Sequence, residues 1–227
     1  VKRRPEPELM DEAEQARAYA EADFSEPNAL FIKLLGNLQP GSLTGARALD
    51  LGCGPADIVL RFLKAYPEAA CDALEGSAAM LDHAREALAQ WPSLAKRCRL
   101  IHDVLPSASL PPLAYDLVLS NSLLHHLHDP QILWQTVREV AKPGALVLIM
   151  DLMRPASAMW AESLVAIYAA DAPDILQRDF RNSLFAAFEP QEVVHQLREA
   201  GLETLEVGVV SDRHLAVYGR LPASSVC

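Results

Sequence analysis

No apolar run in the sequence approaches the length of a membrane-spanning helix. Basic residues are in the minority. Twenty Lys and Arg stand against thirty Asp and Glu, a formal charge of −10, which argues against a general nucleic-acid coat because such a coat needs a basic face. A local basic pocket stays open. The opening VKRRPEPELMDEAEQ has no apolar segment behind its basic residues and does not read as a secretory signal. The four cysteines, Cys53, Cys71, Cys98 and Cys227, show no CxxC spacing. A zinc site or a disulfide framework is therefore not expected, and a reducing cytoplasm is the expected setting. No repeat or low-complexity tract is visible. What remains is a chain of 227 residues, 51% hydrophobic and 22% charged, long enough to bury a core without staples. A single domain over residues 1–227 fits that length.

Short strand-like runs alternate with helical stretches. The strands read as Ala46 to Leu51, Cys71 to Glu75, Arg99 to His102, Tyr115 to Ser120 and Ala145 to Asp151. Ala145 to Met150 is apolar throughout, as in a strand buried on both faces of a parallel sheet. Helices are expected at Ile58 to Tyr66, Ala78 to Gln90 and Gln131 to Ala141. Asp129 suits the N-cap of the third, Pro130 its first turn, and Lys142-Pro143-Gly144 its stop. Such alternation predicts an α/β fold with a doubly wound sheet.

The ends differ. Residues 1–44 lack strand signals, and Glu8 to Ala22 reads as a helix rich in Ala and Glu. Residues 152–188 read as a helical lid inserted after the fifth strand. A last helix runs from Gln191 to Ala200. Two strand candidates follow, Glu203 to Val210 and His214 to Tyr218, joined by Ser211-Asp212-Arg213 as a hairpin.

The strongest local signal is ALDLGCGPAD, residues 48–57. An apolar strand runs through Gly52-Cys53-Gly54 into a helix. Glycine lets the backbone turn sharply and approach a ligand, and the helix N-terminus offers unpaired N–H groups. Glu75 stands 21 residues after Gly54, at the end of the second strand, where a carboxylate can accept from ribose hydroxyls. GCGPAD lacks the third glycine of GxGxxG, so a dinucleotide is the weaker reading. Cys53 reads as packing, not as a nucleophile.

Together these residues resemble the class I S-adenosylmethionine-dependent methyltransferases, and especially the small-molecule group that includes ubiquinone and menaquinone methyltransferases. The resemblance covers roughly residues 46–151 and rests on ALDLGCGPAD, LEGSAAML, HDVL, YDLVLSNSLLHHLHDP and KPGALVLIMDLMRP. It implies a Rossmann-like, mostly parallel seven-stranded sheet with one antiparallel strand, N-terminal helices and the helical lid. It also implies S-adenosylmethionine as cofactor and S-adenosylhomocysteine as product. Asp50, Gly52 and Gly54 would line the methionine part, and Glu75 would hold the ribose. Ser77 and Met80 would flank ribose and adenine. Asp103 would accept from the adenine amino group, and the Val104 N–H would donate to the ring. Ser120 and Asn121 would sit beside the methionine portion, and Tyr19 would close over the cofactor. One departure stands out: Ala56 replaces the third glycine usual in this turn, a change that is tolerable where φ is negative.

On the acceptor side the resemblance places His125-His126-Leu127-His128. His125 and His126 are the candidate catalytic residues, as contacts to substrate or as a general base. No metal is expected, because Asp129 is the only carboxylate within that short motif and the helix cap needs it. In the lid, Trp160, Leu164, Ile167 and Tyr168 recur at helical spacing, as on an amphipathic helix packed on the core. Arg154, Tyr168, Arg178 and Arg181 are the candidate substrate residues, an Arg there being able to clamp a carboxylate. Asp179, Asn182, Arg213 and His214 are weaker candidates. The expected function is methyl transfer to a small organic acceptor. Alternatives are transfer to RNA or protein, another S-adenosylmethionine reaction, and a cofactor-binding regulatory partner without turnover. SNSL stands where nucleobase amino-methylating enzymes carry an NPPY-like tetrapeptide, which counts against that chemistry. Neither the acceptor nor the oligomeric state is specified by the sequence.

Overall fold

The computed structural model describes residues 1–6 and 12–223. Helices α1 (Ala13–Glu21) and α2 (Ser25–Leu38) precede β1 (Arg47–Leu51). Then come α3 (Asp57–Ala65), β2 (Ala70–Glu75), α4 (Ala78–Ala89), the short α5 (Pro92–Ala95) and β3 (Cys98–His102). After β4 (Tyr115–Asn121) a single 3-10 turn, Leu124–His126, leads to α6 (Gln131–Val140) and β5 (Ala141–Leu152). The lid is α7 (Ala158–Tyr168) and α8 (Asp174–Ala186); α9 (Pro190–Glu199), β6 (Glu206–Val209) and β7 (His214–Arg220) close the chain.

Among the described residues the strands form one seven-stranded open sheet in the order β3-β2-β1-β4-β5-β7-β6. Pairing is parallel from β3 through β5, and β7 runs antiparallel to both β5 and β6. Period-two alternation sorts the strand side chains onto two faces. Leu49, Val118 and Val147 pack with Trp134 and Val193 on one side. Ala48, Leu117 and Leu148 pack with Phe31 and Phe62 on the other. Both faces are covered, which is why the central strands read as continuous apolar runs.

Strand order reverses between β1 and β4, and ligands of such sheets bind outside the strand ends at that point. Register brings Asp50, Glu75, Asn121 and Asp151 to the C-terminal ends of β1, β2, β4 and β5. The fold therefore gathers four polar side chains, far apart in sequence, along one edge.

Several local expectations shift. Pro130, not Asp129, is the N-cap of α6 and lies outside the helix rather than in its first turn; Asp129 stands one residue further out and accepts the Gln131 N–H at 2.9 Å. Lys142-Pro143-Gly144 does not separate helix from strand. β5 starts at Ala141, and Pro143-Gly144 forms the register shift against Tyr115 and Leu117, with Gly144 at φ +77°. The first helix is described from Ala13; residues 8–11 of its expected span, and Cys227, lie outside the described residues. The seam of α7 is rotated from the expected stripe. Ala161, Leu164 and Val165 are buried against Leu184 and Phe185, whereas Trp160, Ile167 and Tyr168 are exposed.

Candidate active site

The turn after β1 is built by three residues with positive φ, Gly52 (+71°), Gly54 (+52°) and Ala56 (+69°). Gly52 is required twice over: a Cβ there would also lie 2.9 Å from Leu123 Cδ1. A Cβ on Gly54 would project into open space within the turn. Ala56 does not meet the condition of negative φ. It holds the left-handed conformation as the N-cap of α3, fully buried, at a cost of about 1–2 kcal/mol for an L-residue.

The turn is locked to the next strand. Gly52 and Cys53 donate to Leu74 O at 2.9 and 3.0 Å. Glu75 accepts the Gly54 N–H on Oε2 at 2.9 Å and the Ser77 N–H on Oε1 at 2.8 Å. The Gly76 N–H bonds the same carboxylate, and of its roughly four lone-pair sites about one is left for a ligand. Asp50 lies beneath, 2% exposed, and neither carboxylate oxygen has a partner. Burial, with the Glu75 charge behind it, pushes the Asp50 carboxyl up to about 8. An unpartnered buried carboxyl is costly, and a cation is what it lacks. The ammonium and sulfonium of S-adenosylmethionine fit that need, and Glu75 fits its ribose.

The remaining cofactor candidates divide. Ser77 caps α4, its Oγ accepting the Met80 N–H at 3.2 Å, and Met80 is buried in the first turn. Asp103 is held below the usual carboxylate range by the hydroxyls of Ser107 and Ser109 and by the Val104 N–H. The Val104 N–H thus donates to its neighbour rather than outward. Ser120 is fully buried and donates to Leu51 O at 2.7 Å, joining β4 to β1; it is a strand tie, not a cofactor contact. Asn121 donates to Asn28 Oδ1 at 3.2 Å and leaves its own Oδ1 buried without a partner. Asn28 in turn donates to Asp57, so α2 is latched across the strand ends. Tyr19 stacks on Phe24 at 4.6 Å. Burial and the charges of Glu75, Asp151 and Asp57 push its hydroxyl up to about 12.

The candidate acceptor side centres on His125, only 3% exposed. Its Nδ1 faces Asp151 Oδ1 at the end of β5, and its N–H donates to Asp151 Oδ2 at 3.2 Å. Burial lowers the His125 pKa, but the Asp151 charge and hydrogen bond and the Glu6 charge outweigh it and hold it above the ordinary value. Asp151 is held correspondingly low: burial raises it, and the His125 charge and hydrogen bond more than offset that. Glu6 Oε1 lies 3.5 Å from His125 Nε2 and 3.3 Å from His126 Nδ1. Arg3 anchors the irregular N-terminal segment over this site. It donates to Ala186 O, His125 O and Leu127 O and covers the Phe188 ring at 3.9 Å.

Most of the expected substrate residues are committed elsewhere. Arg154 is buried and bonded to Glu192 (2.8 Å), Glu189 (3.0 Å) and Ala187 O (3.1 Å), so it staples β5 to α9 and presents no clamp. Arg181 forms a bidentate pair with Glu162 that ties α8 to α7. The Tyr168 hydroxyl donates to Asp212 at 2.7 Å, and its ring lies under Arg213 at 3.4 Å, which docks the lid on the β6–β7 turn. Arg178 pairs with its neighbour Asp179 and is 61% exposed, which leaves it the most accessible of these arginines. His214 bonds Ser211 through Nδ1, and burial with Arg213 nearby pushes it down to about 4.

Three contributors escape the sequence reading. Asp151 was legible as the last residue of an expected strand, and the sheet order would have placed it beside the β4 exit. Glu6 and Arg3 carry no local signal. Glu6 supplies the carboxylate whose absence from the short motif argued against a metal.

Known proteins can be set beside this geometry. A family model described as a methyltransferase domain matches residues 49–147. An uncharacterized methyltransferase of Schizosaccharomyces pombe is 34% identical over 105 residues, 44% of this chain and 38% of that protein, so the chain spans well under half of that relative. A ubiquinone biosynthesis O-methyltransferase of Bordetella pertussis is 28% identical over 188 residues, 81% of this chain and 73% of that protein. A crystal structure of an S-adenosylmethionine-dependent methyltransferase from Aquifex aeolicus superposes with TM-score 0.65 at 19% identity, covering 91% of this chain and 98% of that one.

Proposed function

We propose that this chain, a class I S-adenosylmethionine-dependent methyltransferase, moves the cofactor's methyl group to a small organic acceptor held between the 3-10 turn and the lid. The unpartnered Asp50 carboxyl beside Glu75 carries the cofactor half of this reading. The relative named for O-methylation in ubiquinone biosynthesis, matched over 81% of this chain, favours a small acceptor. The acidic balance of the chain speaks against RNA.

When bound, the cofactor supplies an electrophilic methyl on a sulfonium. The residues of this chain do the rest. Asp50 neutralises the cationic end, and Glu75 holds the ribose, with Ser77 and Met80 alongside and Asp103 and Val104 at the adenine. Gly52, Gly54 and Asn121 line the methionine portion, and Tyr19 closes over it. Such fixing converts a bimolecular displacement into one along a set axis, a gain of several kcal/mol or more. The 3-10 turn and the lid would hold the acceptor facing that methyl group. Where the acceptor must lose a proton, His125 takes it, oriented by Asp151 in the manner of a base held by a carboxylate. His126 and Arg178 contact the acceptor beside it.

The test is transfer of label from methyl-tritiated S-adenosylmethionine into a cell extract, separated by size after reaction. Label in the small-molecule fraction is expected. Label in RNA or protein would turn the lid into a docking surface for a macromolecule. Absence of label, with the cofactor still bound, would favour a regulatory partner or a different S-adenosylmethionine reaction.

A further inference from the structure

One cluster on the acceptor side is more than methyl transfer requires. Glu6, His125 and His126 each offer a ligand atom, and these atoms all lie within 4.8 Å of one another. The measured edges are 3.5 Å, His125 Nε2 to Glu6 Oε1, and 3.3 Å, His126 Nδ1 to Glu6 Oε1. Nitrogen–oxygen hydrogen bonds run about 2.7–3.2 Å, shorter than either edge. Ligand bonds of about 2.0–2.1 Å at tetrahedral angles put neighbouring ligand atoms about 3.3–3.4 Å apart, close to the two edges that meet at Glu6 Oε1, and the third edge is no longer than 4.8 Å.

The surroundings are those of a supported site. Asp151 accepts from His125 Nδ1 and so turns the Nε2 lone pair toward Glu6, the carboxylate–histidine arrangement that orients metal ligands. Ser183 Oγ donates to Glu6 Oε1 at 2.9 Å and fixes that carboxylate. The three side chains are only 3–12% exposed, so water does not screen them from one another. Two imidazole nitrogens with one carboxylate favour an ion of the zinc class over magnesium or calcium, which take oxygen ligands.

We propose that Glu6, His125 and His126 bind one divalent transition-metal ion, with Asp151 and Ser183 as the supporting shell. Three protein ligands leave a fourth position for water or an acceptor oxygen or thiol. The ion's use, though not its binding, rests on the methyl-transfer reading. An acceptor O–H or S–H on the ion gives its proton to bulk water, and the freed lone pair forms the bond to the methyl carbon as the sulfur–carbon bond breaks. The ion then does the work that His125 does in the metal-free protein.

The full chain, stripped with a chelator, is titrated with Co2+ and, against a chromophoric chelator, with Zn2+. One ion per chain is expected, with Co2+ absorption bands of a four- or five-coordinate site. Glu6→Gln and His126→Asn each weaken zinc binding at least tenfold with unchanged circular dichroism, and Asp151→Asn weakens it about 10–100-fold. His195→Asn, on the exposed face of α9 and 72% exposed, leaves it unchanged. Folded wild-type protein that binds no stoichiometric Co2+ or Zn2+, or undiminished, wild-type zinc affinity in Glu6→Gln and His126→Asn, overturns the site. S-adenosylmethionine binding, followed by calorimetry in the same samples, separates the two readings. Cofactor bound without zinc sinks the metal site alone; zinc bound without cofactor upholds the site and sinks the methyl-transfer reading.

Discussion

The two halves of the candidate site are made from different kinds of contact. On the cofactor side, Asp50, Gly52, Gly54, Glu75 and Ser77 come from one strand–turn–helix unit and the strand beside it. The bond from Gly54 to Glu75 spans 21 residues. On the acceptor side, Arg3 reaches the carbonyls of His125 and Leu127 across 122 and 124 residues, and Ser183 reaches Glu6 across 177. A locally encoded half can be kept while the other is rebuilt for a new acceptor. Binding sites on loops over a rigid sheet are suited to such change.

The sharpest way to break this comparison is to change one residue in each half. His125→Gln keeps a donor for Asp151 but removes the imidazole. Turnover is expected to fall by about 10²–10⁴, with S-adenosylmethionine affinity unchanged by calorimetry. An equal loss of cofactor affinity would mean that the halves are not separable. Glu75→Ala should do the converse. It removes charge-assisted hydrogen bonds worth about 1.5–3 kcal/mol each, so the cofactor Kd should rise about tenfold to a hundredfold or more.

Asp50 sharpens the comparison through pH. In the empty protein its carboxyl is held up to about 8, so it is protonated at neutral pH. Its neutral form stabilises the fold fully below the ordinary carboxylate range, and that stabilisation is lost as pH rises through about 8. A cationic ligand favours the carboxylate, so binding below about pH 8 releases a proton. The Kd for S-adenosylmethionine should fall about tenfold per pH unit toward that value and level off above it. Asp50→Asn should abolish that slope; a slope that persists in the variant would assign the proton elsewhere.

Two smaller effects concern stability. Arg154→Met should cost about 1 kcal/mol or more, because it removes the bonds to Glu189, Glu192 and Ala187 O that staple β5 to α9, while KM for the acceptor stays constant. A raised KM with unchanged Tm would restore Arg154 as a clamp. Ala56→Gly relieves a left-handed Ala and should stabilise by about 0.5–1 kcal/mol, read as a rise in Tm. No gain would mean that the buried methyl offsets the strain.

The sequence by itself determined the α/β alternation, the strand cores and the glycine turn with Glu75. Each of these rests on a short-range pattern: apolar runs, turn glycines, and a carboxylate one strand and one helix further on. It also placed His125 and His126 on the loop after β4. Only the tertiary structure decided their neighbours. Asp151 reaches His125 because β5 lies beside β4, and Glu6 reaches both histidines because Arg3 anchors its segment on the 3-10 turn and the end of α8. The same long-range packing drew Arg154, Arg181 and Tyr168 into ion pairs and stacks that their residue types permit but no periodicity announces. A charged side chain pairs with whatever opposite charge the fold brings near it, and local sequence carries no record of that distance.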